Sequence, residues 1–400
     1  LRVAVFQRRV PEYRTAALEA LANERDLDVT VYAADFSVKP VGVKTVHLSE
    51  FKLWELFLHP RLFTRAFRSD HDVVLCEGRL ALAASVSLTV FQGSFGPPVV
   101  WWTSLWRRDG TVGIPRGIHG AVTRRMLHAC GAVAVYSRVA AAAAIAAGVS
   151  RSKVFLAQNT LDIALLQRID EEWRSDRERF DRYLQGAGVR RGRNALFVGR
   201  LIEEKRLDTL LEAWTHVVGA GRDNGEQLLI VGDGPEMSNV RSEIRARNLE
   251  ASVKLLGECR DYHAVAPFFL ASRVVVMPGT GGLAINHALA HAVPVIVGGG
   301  DGTEQDLVDE GCNGYRVRVG DVAQLADRIS RIVNAPEADW QAMSRRARAT
   351  VLGRADMKTM VSGLAEALRV AVGARRPRTH REPVSSGVGV PSDDPKLPVS

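Results

Sequence analysis

Arg200 and Lys205 follow a short apolar run, "ALFVG" (195–199), and precede a helical pattern whose apolar positions Leu207, Leu210, Leu211 and Trp214 have a period near that of an α-helix. Two cations beyond the carboxyl end of a strand suit the two charges of a diphosphate, since arginine forks onto oxygens and lysine acts as a point charge. A solvated face, with Glu203 and Glu204 as salt partners, is the equal alternative from spacing alone. A second stretch, "PGTGGLAINHALAHAVP" (278–294), places Gly281 and Gly282 just before a short amphipathic helix that begins near Leu283. The first turn of such a helix has unpaired backbone N–H groups and a partial positive charge, and glycine allows an anion close approach. A glycine turn kept for packing is the alternative. His287 and His291 lie four apart on the same helix, the spacing of a zinc-binding helix. Yet Asn286 and Ala288, not a glutamate, flank His287, and no histidine or cysteine cluster supplies a third ligand, so no metal site is expected.

These residues need strands and helices to position them. Short apolar runs, "VAVF" (3–6), "VTVY" (29–32), "VVLC" (73–76), "PVVWW" (98–102), "AVAVY" (132–136) and "VFLA" (154–157), alternate with longer amphipathic ones such as "YRTAALEALANE". After a charged segment (169–193) the rhythm resumes with "ALFVG", "QLLIVG" (227–232), "VKLLG" (253–257), "RVVVMP" (273–278), "PVIVG" (294–298) and "GYRV" (314–317). The pattern predicts an α/β fold of two Rossmann-like domains facing each other across a cleft, with ligand beyond the carboxyl ends of the strands. The expected division is an amino-terminal domain over 1–160, a helical connection over 161–193 and a carboxyl-terminal domain over 194–350. A helix over 351–373 is expected to return to the amino-terminal domain, and a proline-rich tail without aromatic residues (374–400) to be disordered.

The chain has 400 residues, 46% hydrophobic and 24% charged, with a formal charge of +8 that favours anionic partners. Its four cysteines form no CxxC pair, there is no basic-then-apolar leader, and no run of 18 uncharged apolar residues occurs; a cytoplasmic protein is expected. No winged, zinc-finger or RNP pattern points to nucleic acid. Between Trp101 and Asn159 stand eight Arg or Lys residues against one acid, Asp109. "FKLWELFLHPRLFTRAFR" (51–68) interleaves aromatic and basic residues, which suits a helix lying on an anionic membrane; a basic-rimmed core helix is at least as good a reading.

"VGRLIEEKRLDTLLEAW", "LLIVGDGPE", "VKLLGECRD" and "MPGTGGLAINHALAHAVPVIVGGGDGTEQDLVDEGCNGYRV" resemble, in order and spacing, the GT4-type retaining glycosyltransferases of GT-B fold. The resemblance covers most of the carboxyl-terminal half; "QRRVPEYRTAALEAL" and "AVAVYSRVAAAAAIAAGVSRSKVFLAQNTLD" are compatible with it in the other. It implies a nucleotide-sugar donor whose diphosphate meets Arg200, Lys205 and the backbone of Gly281, Gly282 and Leu283, with Gly199 at the strand end. It implies that backbone at Gly257, Glu258 and Cys259 touches the base, and that Glu304 contacts the donor or shapes the cleft, capping of the next helix through Thr303 or Glu304 being nearly as good a reading. This chain departs from the family where a glutamate meets the donor sugar and another the ribose: Gly279 and His287 stand there, and His287 could still bond a ribose hydroxyl. The resemblance further implies transfer with retention, front-face attack with a donor phosphate oxygen taking the proton, no metal or cofactor, and a glycan, lipid-linked or small-molecule acceptor. His119, in an expected loop, is the candidate acceptor contact or base. A nucleotide-sugar epimerase or hydrolase on the same fold, or a non-catalytic binding scaffold, are the rival readings.

Overall fold

The computed structural model describes residues 1–53, 56–59, 71–92, 96–107, 111–219 and 225–373. The tail from 374 to 400 and residues 54–55 and 60–68 of the aromatic and basic stretch lie outside them.

The amino-terminal half runs β1 (Arg2–Val10), α1 (Glu12–Ala22), β2 (Asp28–Phe36), β3 (Lys44–His47), β4 (Phe51–Leu53), β5 (Leu56–Leu58), β6 (Val73–Glu77), α2 (Ala83–Phe91), β7 (Val99–Thr103), α3 (Gly117–Ala129), β8 (Ala132–Val135), α4 (Arg138–Ala146) and β9 (Val154–Leu156). Seven of these strands form one parallel sheet in the order β3-β2-β1-β6-β7-β8-β9. Helices cover both faces, so its inner strands carry apolar side chains on each side. In "VVWWT" of β7, Trp101 joins the core on one face and Trp102 the core on the other, the alternation that a strand imposes.

Two features depart from the sequence reading. The polar run "KTVH" forms the edge strand β3 through its register with β2. Residues 51–53 and 56–58, read as part of an interfacial helix, are instead an antiparallel pair in whose register Phe51 stands opposite Leu58 and Lys52 opposite Phe57. The cause is tertiary: the Arg8 guanidinium lies 3.5 Å from the centre of the Phe57 ring, and Glu50 holds that guanidinium through two bonds of 2.8 and 2.9 Å. Such contacts outweigh helix propensity.

The chain continues through α5 (Ile163–Ser175), α6 (Arg177–Gly186), β10 (Asn194–Val198), α7 (Leu207–Val218), β11 (Leu228–Val231), α8 (Met237–Ala246), β12 (Val253–Gly257), α9 (Tyr262–Leu270), β13 (Ser272–Met277), α10 (Leu283–Ala290), β14 (Val295–Val297), α11 (Thr303–Leu307), β15 (Gly314–Arg316), α12 (Val322–Val333), α13 (Glu337–Arg354) and α14 (Met357–Gly373). Its six strands order as β12-β11-β10-β13-β14-β15, all parallel. In each sheet the strand order reverses once, between β1 and β6 and between β10 and β13. At such switch points the loops diverge beyond the carboxyl ends and leave a crevice.

Helix α5 brings Trp173, and α6 brings Phe180 and Leu184, into the core beneath β10 and β13. Helix α14 crosses back to the amino-terminal sheet and buries Met360, Val361, Leu364 and Leu368 against Val5, Leu75 and Ala132. The crossing is close enough that a Cβ on Gly363 would stand 2.0 Å from the Leu156 carbonyl oxygen. Arg369 then pairs with Asp26 and Glu24 beyond α1. The two halves also meet directly: the Ser137 hydroxyl donates to the Asp301 carbonyl at 3.2 Å, and the Arg138 N–H to the Asp306 carboxylate at 2.8 Å.

Candidate active site

The crevice between β10 and β13 gathers the cations and the glycine turn. Arg200 is exposed at the carboxyl end of β10. A one-turn 3-10 segment, Glu203–Lys205, follows, and Arg206 enters α7 in the left-handed conformation, with φ of 55°. This turn aims Lys205 across the crevice, where its Nζ donates to the Thr280 carbonyl at 2.5 Å. The Thr280 N–H in turn donates to the Glu204 carbonyl at 3.2 Å, so the loops after β10 and β13 are stitched together. Burial pulls the Lys205 ammonium below its usual value, while Asp301 and Glu204 pull it back up.

Gly279, where the resemblance implies a glutamate in other members, lies inside that seam. A Cβ there would stand 2.0 Å from the Glu204 carbonyl oxygen, a distance no side chain tolerates. Gly281 is nearly as confined, its Cβ position falling 2.8 Å from the Ile285 side chain, and Gly282 (φ 57°) precedes α10 without a side-chain cap. The amides of Leu283 and Ala284, ahead of Ile285 whose N–H already donates to the Gly282 carbonyl at 3.1 Å, therefore stand at the positive end of the helix dipole. Gly199, with φ of 155°, ends β10 next to the Lys205 side chain, 3.9 Å from its hypothetical Cβ. These residues are brought together.

The two histidines are held differently. His291 donates from Nδ1 to Asp170 at 2.5 Å, and Arg348 reaches the other oxygen of that carboxylate at 2.7 Å. His287 packs against Phe269, 4.4 Å between ring centres, and edge-on to Tyr262. Burial, with a smaller push from His291, drives its imidazole well below the ordinary value, and it is neutral at pH 7. Its Nε2 is buried without a partner among the described residues. Among those residues, no group of three or more His, Cys, Asp or Glu is arranged to hold a metal ion.

The remaining expected residues lie further round the crevice. Gly257 accepts from the Gly232 N–H at 2.7 Å at the end of β12; Glu258 pairs with Arg260, and Cys259 is partly buried beside the core. Glu304 sits in the first turn of α11, 2% exposed, with one oxygen unpartnered. Burial pushes its carboxyl up to about 7. Neither it nor Thr303 caps that helix by side chain: Gly302 is the cap residue, and the Asp301 carboxylate accepts from the Thr303 N–H at 3.2 Å. His119 is not in a loop. It is exposed in the first turn of α3, on the rim of a cavity in the amino-terminal half.

That cavity, of about 1090 Å³, lies at the other switch point, beyond β1, β6, β7 and β8. Gln7, Arg14, Glu77 and Arg79 line it, and the sequence reading singled out none of them. The available signal was the cationic run "QRRVPEYR" at the end of the first strand.

Residues 192–335 match the family described as glycosyl transferases group 1. This stretch is a group 1 glycosyltransferase domain. Over 146 residues the chain is 30% identical to an exopolysaccharide phosphotransferase of Streptomyces coelicolor and 28% identical to an alpha-D-kanosaminyltransferase of Streptomyces kanamyceticus. Each match covers 36% of this chain, and the two relatives are covered over 15% and 36% of their own lengths. The structure of Anabaena HepE in complex with UDP superposes with a TM-score of 0.72 at 18% identity, over 92% of this chain and 99% of that one. The glycosyltransferase domain and its amino-terminal counterpart thus form a GT-B fold. Among the described residues no helix is long and apolar enough to cross a membrane.

Proposed function

We propose that the protein is a retaining glycosyltransferase that moves a sugar from a nucleoside diphosphate sugar to a hydroxyl of a glycan, lipid-linked or small-molecule acceptor. The observation that carries this reading is the seam at the glycosyltransferase domain's switch point, where Lys205 lies beside the Thr280 carbonyl and the amides that open α10. An anion entering there meets a desolvated ammonium, the Arg200 side chain and the amino end of a helix. Negative charge on the leaving diphosphate grows in the transition state, and fixed donors in a water-poor crevice stabilise it without reorganising.

His287 stands in for a ribose-binding carboxylate: its neutral ring, with a free Nε2, can donate to or accept from a hydroxyl. Gly279 leaves only backbone where other members place a carboxylate, so sugar recognition falls to amides of the 279–283 turn. Glu258 and Cys259 offer backbone to the base. Glu304 shapes the crevice where the domains touch, and His119 meets the acceptor at the rim of the opposing cavity. No protein nucleophile is needed when a donor phosphate oxygen takes the acceptor proton.

The test is incubation with a panel of nucleotide sugars and candidate acceptors, with the anomer of the product read by NMR. A retained glycoside that disappears with Lys205→Ala is the expected result. Free sugar formed equally with and without acceptor, or an inverted product, would overturn the assignment.

A further inference from the structure

Arg14 is a buried cation that donor binding does not use. It stands in the first turn of α1, 4% exposed, with its guanidinium 3.9 Å from the centre of the Trp102 ring and Nη2 donating to the Tyr136 hydroxyl at 3.2 Å. Its Nε and Nη1 have no partner among the described residues, and neither has Nε2 of Gln7, 2% exposed on β1. Unmet buried donors are costly, the more so on a charged group, so a site that keeps them keeps them for an acceptor.

Both side chains line the amino-terminal cavity. Arg9 and Arg79 add positive charge to its wall, and Glu77 is the one carboxylate among the described residues that line it. Arg8, also on the wall, is already engaged by Glu50. Burial raises the Glu77 carboxyl above its usual range against the pull of Arg14 and Arg79, which weakens the one opposing charge. The excess of cations suits a dianion, and a planar guanidinium with two free N–H edges suits an oxyanion.

We propose that this cavity holds the acceptor by a phosphate group seated on Arg14 and Gln7, making the acceptor a phosphorylated or phospholipid-linked molecule. The proposal rests on the transferase reading for the word acceptor, but the anion site itself does not depend on turnover. Trp101, Trp102 and Trp106 line the cavity, so tryptophan fluorescence reports occupancy.

The full chain is titrated with inorganic phosphate and, in parallel, with malate as a carboxylate probe. Saturable quenching by phosphate is expected, weakened at least tenfold in Arg14→Gln, partly recovered in Arg14→Lys and retained in Lys205→Ala. Should Arg14→Gln fail to fold, as judged by circular dichroism, Gln7→Leu takes its place with the same expected loss. No saturable response in the unmodified protein, or one lost with Lys205→Ala yet unchanged by Arg14→Gln and Gln7→Leu, overturns the site. Tighter binding of malate overturns the phosphate assignment. Failure of the transferase reading shows separately, as nucleotide sugars left unconsumed while phosphate still binds at Arg14.

Discussion

Lys205 and Gly279 are two halves of one arrangement. The glycine lets the loop after β13 come within reach of the turn after β10, and the lysine closes the gap through the Thr280 carbonyl. Under the proposed function, Lys205→Ala should lower kcat by about 100-fold or more, the usual loss when one donor to a developing oxyanion is removed. Steady-state kinetics with the best donor would check it, and a change below threefold would remove Lys205 from the mechanism. A side chain at this position has no room: Gly279→Glu must force the two loops apart, at about 1–3 kcal/mol of stability. Urea unfolding measures this, and a variant as stable as the parent would show that the seam yields freely. Arg200, Lys205, Gly281 and Gly282 were legible in the sequence because their position after a strand run is a local fact. Arg14 was not, because its burial rests on Trp102 and on a bond to Tyr136, 122 residues away.

At the scale of elements, the pair of histidines of α10 is a packing device on one side and, on the other, a buried ring nitrogen without a partner among the described residues. Asp170 on α5 receives His291 from the end of α10 and Arg348 from α13, tying three helices with one carboxylate that is 1% exposed. Asp170→Asn should therefore cost about 1–3 kcal/mol, since it removes the buried acceptor that both His291 and Arg348 use. Chemical denaturation checks the figure; a loss below 1 kcal/mol would mean the three helices hold without it. The spacing of His287 and His291 is visible in the sequence, but their partners are not. Spacing alone puts them on one face of a helix and leaves zinc, core and ligand equally available in geometry. The pairing of β4 with β5 is a parallel case: its aromatic and basic composition was plain, but the contact of Phe57 with Arg8, far off on β1, was not.

At the scale of the whole molecule, the two crevices lie at the switch points of two sheets, and α11 joins the halves through Asp301 and Asp306. Glu304 sits beside that joint with its carboxyl raised by burial from the ordinary 4.5 to about 7. A raised carboxyl favours the folded state while it is protonated, so its contribution is full below about pH 4.5 and is lost as pH rises through about 7. The loss amounts to roughly 3 kcal/mol at most, from the unit conversion of the shift. Glu304→Gln should remove that slope and unfold at a higher temperature than the parent at pH 8, with the difference fading toward pH 5. Parallel melting curves with the same slope in both proteins would place the titration elsewhere.

The alternation of apolar runs with amphipathic stretches determined two doubly wound halves, because strand and helix periods are written in neighbouring residues. The sequence likewise determined the charges and glycines that stand at the strand ends of the glycosyltransferase domain. Only the tertiary structure decided that Gly279 has no room for a side chain, that His291 belongs to Asp170, and that Arg14 and Gln7 keep unanswered donors in one cavity. Those facts are distances between residues far apart in the chain, and no local period or composition records a distance.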